Sequence, residues 1–190
     1  MTKNVLLNIA IVICKIFRLL LVMAFIGVTA LFIHIQVDCD FYKEKEVHKS
    51  NYKNYNYSFS RTWKIDPKSA DKDVYILGDI KAESLYFNYF KYSAILLVLF
   101  VSFKEFQKVM TSVKEVKTFR EETIRSFRNI GKYIFIYFLL TSYNSMDFKL
   151  GGFSGTYISI TPLIFVLLSF IMAEIFKEGM LLKQENDLTI

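Results

Sequence analysis

A chain of 190 residues that is 53% hydrophobic and 17% aromatic, with only two prolines, is one domain by length and ill suited to a soluble surface. The net charge of +6 does not point to nucleic acid, because basic and acidic residues are interleaved and no run of five like charges occurs. The composition therefore predicts a lipid bilayer as the first partner and no direct nucleic-acid binding.

In chain order, the first stretch apolar enough to span is Leu19 to Ile35, "LLLVMAFIGVTALFIHI". Three more follow at about 85–103, 130–146 and 158–176. Roughly 17 to 20 residues at ~1.5 Å each match a hydrocarbon core of ~30 Å. Backbone groups in lipid must pair within their own segment, so all four are expected to be helices. Val5 to Cys14 should continue the first helix toward the N-terminus, with Lys15 and Arg18 at headgroup level. A cleaved signal is not expected, since the apolar run is too long, is interrupted by those two cations and lacks a small-x-small site. Cys39 follows Asp38, which is wrong for a lipidation site. On a continuous helix Cys14 and Cys39 would lie about 37 Å apart, so both read as unpaired small hydrophobes.

The first loop, 38–84, is the largest segment between spans. Within "NYNYSFSRTWKI", Tyr55, Tyr57, Phe59, Trp63 and Ile65 alternate with polar residues, the period of a half-buried strand. "DVYILGDI" is the expected partner, giving a small β-hairpin cap with Pro67 to Asp73 as the connection. A ligand-binding or sensory surface built on the tyrosines is the functional alternative to a packed cap.

The second loop, 104–129, is expected to be a helical hairpin extending spans two and three. Phe106, Val109, Met110, Val113 and Val116 form an apolar helical stripe with lysines opposite. "TFRE" offers a capping box, Thr118 with Glu121, after which Phe119, Ile124, Phe127 and Ile130 carry a second stripe into span three. The two stripes should pack on each other, with any part left open serving a partner. Eight basic residues between Lys104 and Lys132 place this loop, and with it both termini, in the cytoplasm, because the basic residues of the first loop are diluted among nine acids.

Catalytic chemistry is sparse. His34 and His48 have no metal-ligand spacing and no Gly-rich phosphate loop is present, so no enzyme, cofactor or metal is expected. Gly151, Gly152 and Gly155 of "KLGGFSGTY" read as turn residues in the short connection between spans three and four. Glu174, the one acid inside a predicted span, lies close enough to the boundary to snorkel or to pair with the basic hairpin.

The last span ends in a tail, 177–190, that is both charged and apolar. "AEIFKEGMLLKQENDLTI" resembles the C-terminal signature of the bacterial membrane family catalogued as domain of unknown function 2975 (DUF2975), at Ala173, Glu174, Ile175, Phe176, Gly179, Leu182, Glu185, Leu188, Thr189 and Ile190. A second resemblance is a Phe followed by a basic helix and Ile-Gly, here Phe119, Arg125, Arg128, Ile130 and Gly131; Thr118 stands where the family often has Pro. The resemblance implies an all-α, four-span protein of the bacterial cytoplasmic (inner) membrane, residues 1–190 forming a single membrane domain. It also implies a regulatory or sensory role beside a small cytoplasmic helix-turn-helix transcription regulator. The docking residues this suggests are Leu182, Glu185, Asp187, Leu188 and Ile190 of the tail with Phe119, Arg120, Arg125 and Arg128 of the hairpin. The alternatives are a small transporter or channel subunit, or an accessory subunit of a homo-oligomer or larger membrane complex.

Overall fold

The computed structural model describes residues 3–38, 40–48, 56–64, 74–115 and 119–188. Four helices carry most of the chain: α1 (Lys3–Val37), α2 (Ala82–Lys114), α3 (Glu121–Ser142) and α4 (Ile160–Leu188). Five strands accompany them: β1 (Glu46–His48), β2 (Tyr57–Lys64), β3 (Val74–Ile76), β4 (Tyr143–Phe148) and β5 (Gly151–Ile158). The fold is thus mostly helical but not all-α. Helices α1, α2 and α4 are long and apolar enough to cross a membrane. Their side chains are sorted inside out for water. Leu19, Met23 and Leu31 of α1 and Leu167 and Ile175 of α4 face outward, while Ser84, Asn88, Lys91 and Glu105 of α2 are buried. An apolar surface of that extent is stable only against an apolar surrounding.

By internal contacts the chain falls into two units, one made of Met1–Met23, Leu96–Phe138 and Thr161–Ile190, the other of Ala24–Ile95 and Leu139–Ile160.

The second unit holds the sheets. Its three-stranded sheet has the order β2-β5-β4, all antiparallel. This corrects the expected pairing of β2 with "DVYILGDI". That segment supplies only the three residues of β3 before a 3-10 turn at Leu77–Asp79, and β3 pairs with β1. β2 instead pairs along all eight residues with β5, from Tyr57↔Ile158 to Lys64↔Gly151. The glycines expected in a turn are therefore strand residues, and the turn itself is Lys149–Leu150. Gly151 enters β5 at φ 155, where L side chains are strained. At Gly152 a Cβ would lie 2.9 Å from the Trp63 ring and 2.7 Å from the Met146 carbonyl oxygen. Gly155 is covered in the same way by the Tyr157 ring. Aromatic rings packed over strand glycines recover the surface that the missing side chains would have buried.

Span three was expected to continue to Met146, but α3 stops at Ser142 and Tyr143 to Met146 belong to β4. A polar stripe on α2 accounts for the change. Ser84, Asn88 and Lys91, spaced i, i+4, i+7, share one helix face. The Ser84 hydroxyl accepts the Asp147 N–H at 3.0 Å, and the Asn88 amide donates to the Ser145 carbonyl at 2.9 Å. Lys91 Nζ donates to the Tyr143 carbonyl at 2.9 Å and bonds the Asn144 side chain. A cation placed on the carbonyls just past a helix end also suits the helix dipole. Tyr75, Phe148 and Phe153 form the small core of this unit, with Ile80 and Met146 packed against it. Near the end of α1, His34 Nδ1 lies 3.0 Å from the Tyr42 hydroxyl. The hydrogen bond and charge of Lys43 hold the Asp40 carboxyl below the usual carboxylate range.

In the first unit, the N-terminal part of α1 is helical as expected, since α1 is one helix of 35 residues with Leu7 and Cys14 turned inward. α2 likewise runs on to Lys114 without a break. Thr118, the expected cap of the next helix, lies outside the described residues, as do Cys39, Val116 and Ile190. The first turn of α3 is closed by the Arg120 carbonyl, which accepts from the Thr123 and Ile124 amides at 3.0 and 3.3 Å.

Candidate functional site

The second half of α2 and the first half of α3 each carry two faces. On the apolar faces, Val109 is 1% exposed and Ile124 and Ile130 are buried. The polar faces are the ones that sequence periodicity assigns to solvent. On α2 and the residue that follows it, Glu105, Lys108, Ser112 and Glu115 repeat at three and four residues, and on α3 so do Glu122, Arg125, Ser126 and Asn129. Two hydrogen bonds join these faces. Ser126 Oγ donates to Glu105 Oε2 at 2.7 Å, and Ser112 Oγ lies 2.8 Å from Thr123 Oγ1. A polar seam thus joins the two helices beside the buried Val109, Ile124 and Ile130. The α3 stripe serves α4 as well, because the Phe127 and Phe176 rings are 5.0 Å apart.

Glu105 is the centre of the seam. It is 6% exposed, and a carboxylate so buried is tolerable only with charge and hydrogen-bond partners. Lys108 supplies the charge at 2.6 Å and Ser126 the second hydrogen bond.

A cavity of about 670 Å³ opens beside the seam. α2 and the residue that follows it line it with Lys104, Glu105, Gln107, Lys108 and Glu115, α3 with Glu122, Arg125, Ser126 and Asn129, the approach to α3 with Arg120, and α1 with Arg18. Five lining side chains are cationic and three are carboxylates. Arg18 is held rather than loose: Nη1 donates to Gln107 Oε1 at 3.0 Å and the guanidinium carbon stands 4.6 Å from the Phe100 ring centre. Its Nε is buried and has no hydrogen-bond partner. The Phe17 and Phe103 rings stack beside it, 5.2 Å apart.

The residues singled out for docking are divided between two places. Arg120 and Arg125 line the cavity, and Arg125 also pairs with Glu121 at 3.4 Å. Phe119 and Arg128 meet α4: the Phe119 ring is 5.7 Å from Phe176 and crowds Gly179, and Arg128 lies 3.7 Å from Glu174. Glu174 also bonds Lys177 at 2.7 Å, so the ion-pair reading of this acid holds. Leu182 is 65% exposed, Glu185 and Asp187 are exposed on the same helix, and Leu188 is its last residue. Glu105, Gln107 and Ser126 escaped the sequence reading, which placed Arg18 only at headgroup level. The signal for them was a second period on each helix, polar residues at helical spacing opposite an apolar stripe.

Among the described residues, no group of three His, Cys, Asp or Glu side chains could hold a metal ion. No curated protein and no solved structure matches the chain. The sequence model of the family described as "Protein of unknown function (DUF2975)" matches residues 76–190. That stretch includes α2, α3, β4, β5 and α4, and every wall of the cavity except Arg18. It is more than half of the chain, which accordingly belongs to the DUF2975 family.

Proposed function

We propose that the chain is a non-enzymatic, four-span protein of the bacterial cytoplasmic membrane, with both termini in the cytoplasm. In this reading it holds or senses on behalf of a small cytoplasmic helix-turn-helix transcription regulator. The observation that carries it is the end of α4. Phe176 and Gly179 seat this helix on Phe119 of the hairpin, and from that fixed base Leu182 projects with most of its surface exposed beside two acids. An exposed Leu on an anchored, charged helix suits capture of a partner helix. The fourth crossing is α3, whose 22 residues reach about 33 Å. It begins beside Glu105 and Ser112 of α2 and ends beside Lys91 of the same helix.

Orientation is tested on the two cysteines. A membrane-impermeant thiol reagent applied to intact cells should label Cys39 and spare Cys14; the reverse pattern inverts the topology.

Partner capture is tested on the tail. Burying a Leu-sized side chain contributes about 1.5 to 3 kcal/mol, whereas an exposed ion pair contributes at most ~1 kcal/mol. Leu182→Asp, or deletion of residues 188–190, should abolish co-purification of the regulator while membrane insertion persists. Glu185→Gln should weaken it modestly and in a salt-dependent way. If the tail-deleted chain captures the regulator as well as the full chain does, the docking role is lost. A transporter or channel subunit is the second reading, favoured by Lys91, a buried cation inside an apolar helix. An adjacent gene for a regulator supports the first reading and one for an ATPase the second.

A further inference from the structure

We propose that the cavity beside the α2–α3 seam binds a phosphate group presented at the membrane boundary, with Arg18 as its anchoring cation. Three observations converge on this, and they stand whether or not the hairpin captures a cytoplasmic protein.

The first is charge. The cavity draws cations from α1, α2 and the α3 region, and its most buried carboxylate, Glu105, is already satisfied by Lys108 and Ser126. Glu115 and Glu122 are the other two carboxylates, so five cations face three acids and the lining keeps a surplus of two positive charges. A volume of about 670 Å³ lies within the range of small-ligand sites.

The second is Arg18 itself. Gln107 takes Nη1 and the Phe100 ring takes the guanidinium face, which fixes the group in one orientation, yet the buried Nε is left with no partner. A buried donor without an acceptor is costly, and a held guanidinium whose Nε lacks an acceptor is suited to an oxyanion.

The third is depth. From Leu19 to Ile33 α1 carries no charged side chain, so Arg18 stands at the edge of the apolar run, where phosphate headgroups lie. Phosphate on a lipid headgroup and free phosphate share this chemistry.

The test uses the purified full chain in detergent and native mass spectrometry. Dioleoyl phosphatidylglycerol, dioleoylglycerol, which lacks the phosphate, and inorganic phosphate are added separately, and phosphate is then added against the first lipid. The wild type should retain phosphatidylglycerol about tenfold better than dioleoylglycerol, as one charge-assisted hydrogen bond to the phosphate would give. Arg18→Gln should remove that preference and Lys149→Gln, on the β4–β5 turn, should keep it. Arg120→Gln repeats the test without touching a span, should Arg18→Gln not insert. Competition by millimolar phosphate identifies a free phosphate as a ligand of the site; retention unaffected by phosphate identifies the lipid headgroup. Equal retention of the two lipids with no phosphate adduct, or a preference unchanged by both Arg18→Gln and Arg120→Gln, overturns the proposal.

Discussion

Gly152→Val should lower the stability of the three-stranded sheet by about 2 to 3 kcal/mol, although valine is the better strand former by up to ~1 kcal/mol. The glycine sits between Trp63 of β2 and Asp147 of β4 in the register of the sheet. A Cβ there would meet the Met146 carbonyl oxygen at 2.7 Å, Asp147 Oδ1 at 2.8 Å and the Trp63 ring at 2.9 Å. The carbonyl belongs to the backbone of a paired strand and cannot swing aside, so the ring must leave. Trp63 is the one tryptophan of the chain, and its fluorescence reads the event directly. The denaturation midpoint followed by that fluorescence should fall for Gly152→Val. It should hold or rise for Gly27→Ala, where nothing lies within 4 Å and a helix gains from the added methyl. Equal midpoints for Gly152→Val and the wild type would mean that Trp63 does not cover this glycine.

What the sequence could disclose followed the reach of its signals. The apolar run of α1 and the unbroken course of α2 past Phe103 were legible because hydropathy and helical period are local. The expected pairing of Glu174 with the basic hairpin is met by Arg128, and Lys177, one turn away, adds a second partner. The partner of β2 was not legible, because alternation in "NYNYSFSRTWKI" marks a strand without naming its mate. The mate is a glycine-rich segment that reads as a turn until Trp63 and Tyr157 are seen lying over it. The end of span three failed for a related reason. Tyr143, Asn144 and Ser145 after Ser142 are polar but do not by themselves mark a strand, and the switch to β4 rests on Ser84, Asn88 and Lys91, polar residues of a different helix. The cavity was hidden by the usual rule that polar faces of amphipathic helices meet water. Here two such faces meet each other, and neither shows it alone.

That meeting sets the second large effect, expected at Glu105 and Ser126. Ser126→Ala takes away a hydroxyl that donates at 2.7 Å to a buried carboxylate, and hydrogen bonds to charged groups contribute about 1.5 to 3 kcal/mol. Glu105→Ala removes the carboxylate itself. Lys108 is 56% exposed and can rehydrate at little cost, but the Ser126 hydroxyl is buried and would be left without its acceptor, at about 1 to 3 kcal/mol. Because each single substitution strands the partner of the same bond, the double variant should cost less than the two singles together, by about 1 kcal/mol. Ser112→Ala removes the bond to Thr123, between two neutral hydroxyls, which contributes about 1 kcal/mol. The effects are local to the hairpin, so they are best read as hydrogen exchange of the amides from Glu121 to Ile130 in the detergent-purified protein. Exchange there should quicken most for the Glu105 and Ser126 single variants and less for Ser112→Ala, while the sheet amides of β5 stay unchanged. Costs at Glu105 and Ser126 that simply add would show that the bond between them does not close the seam.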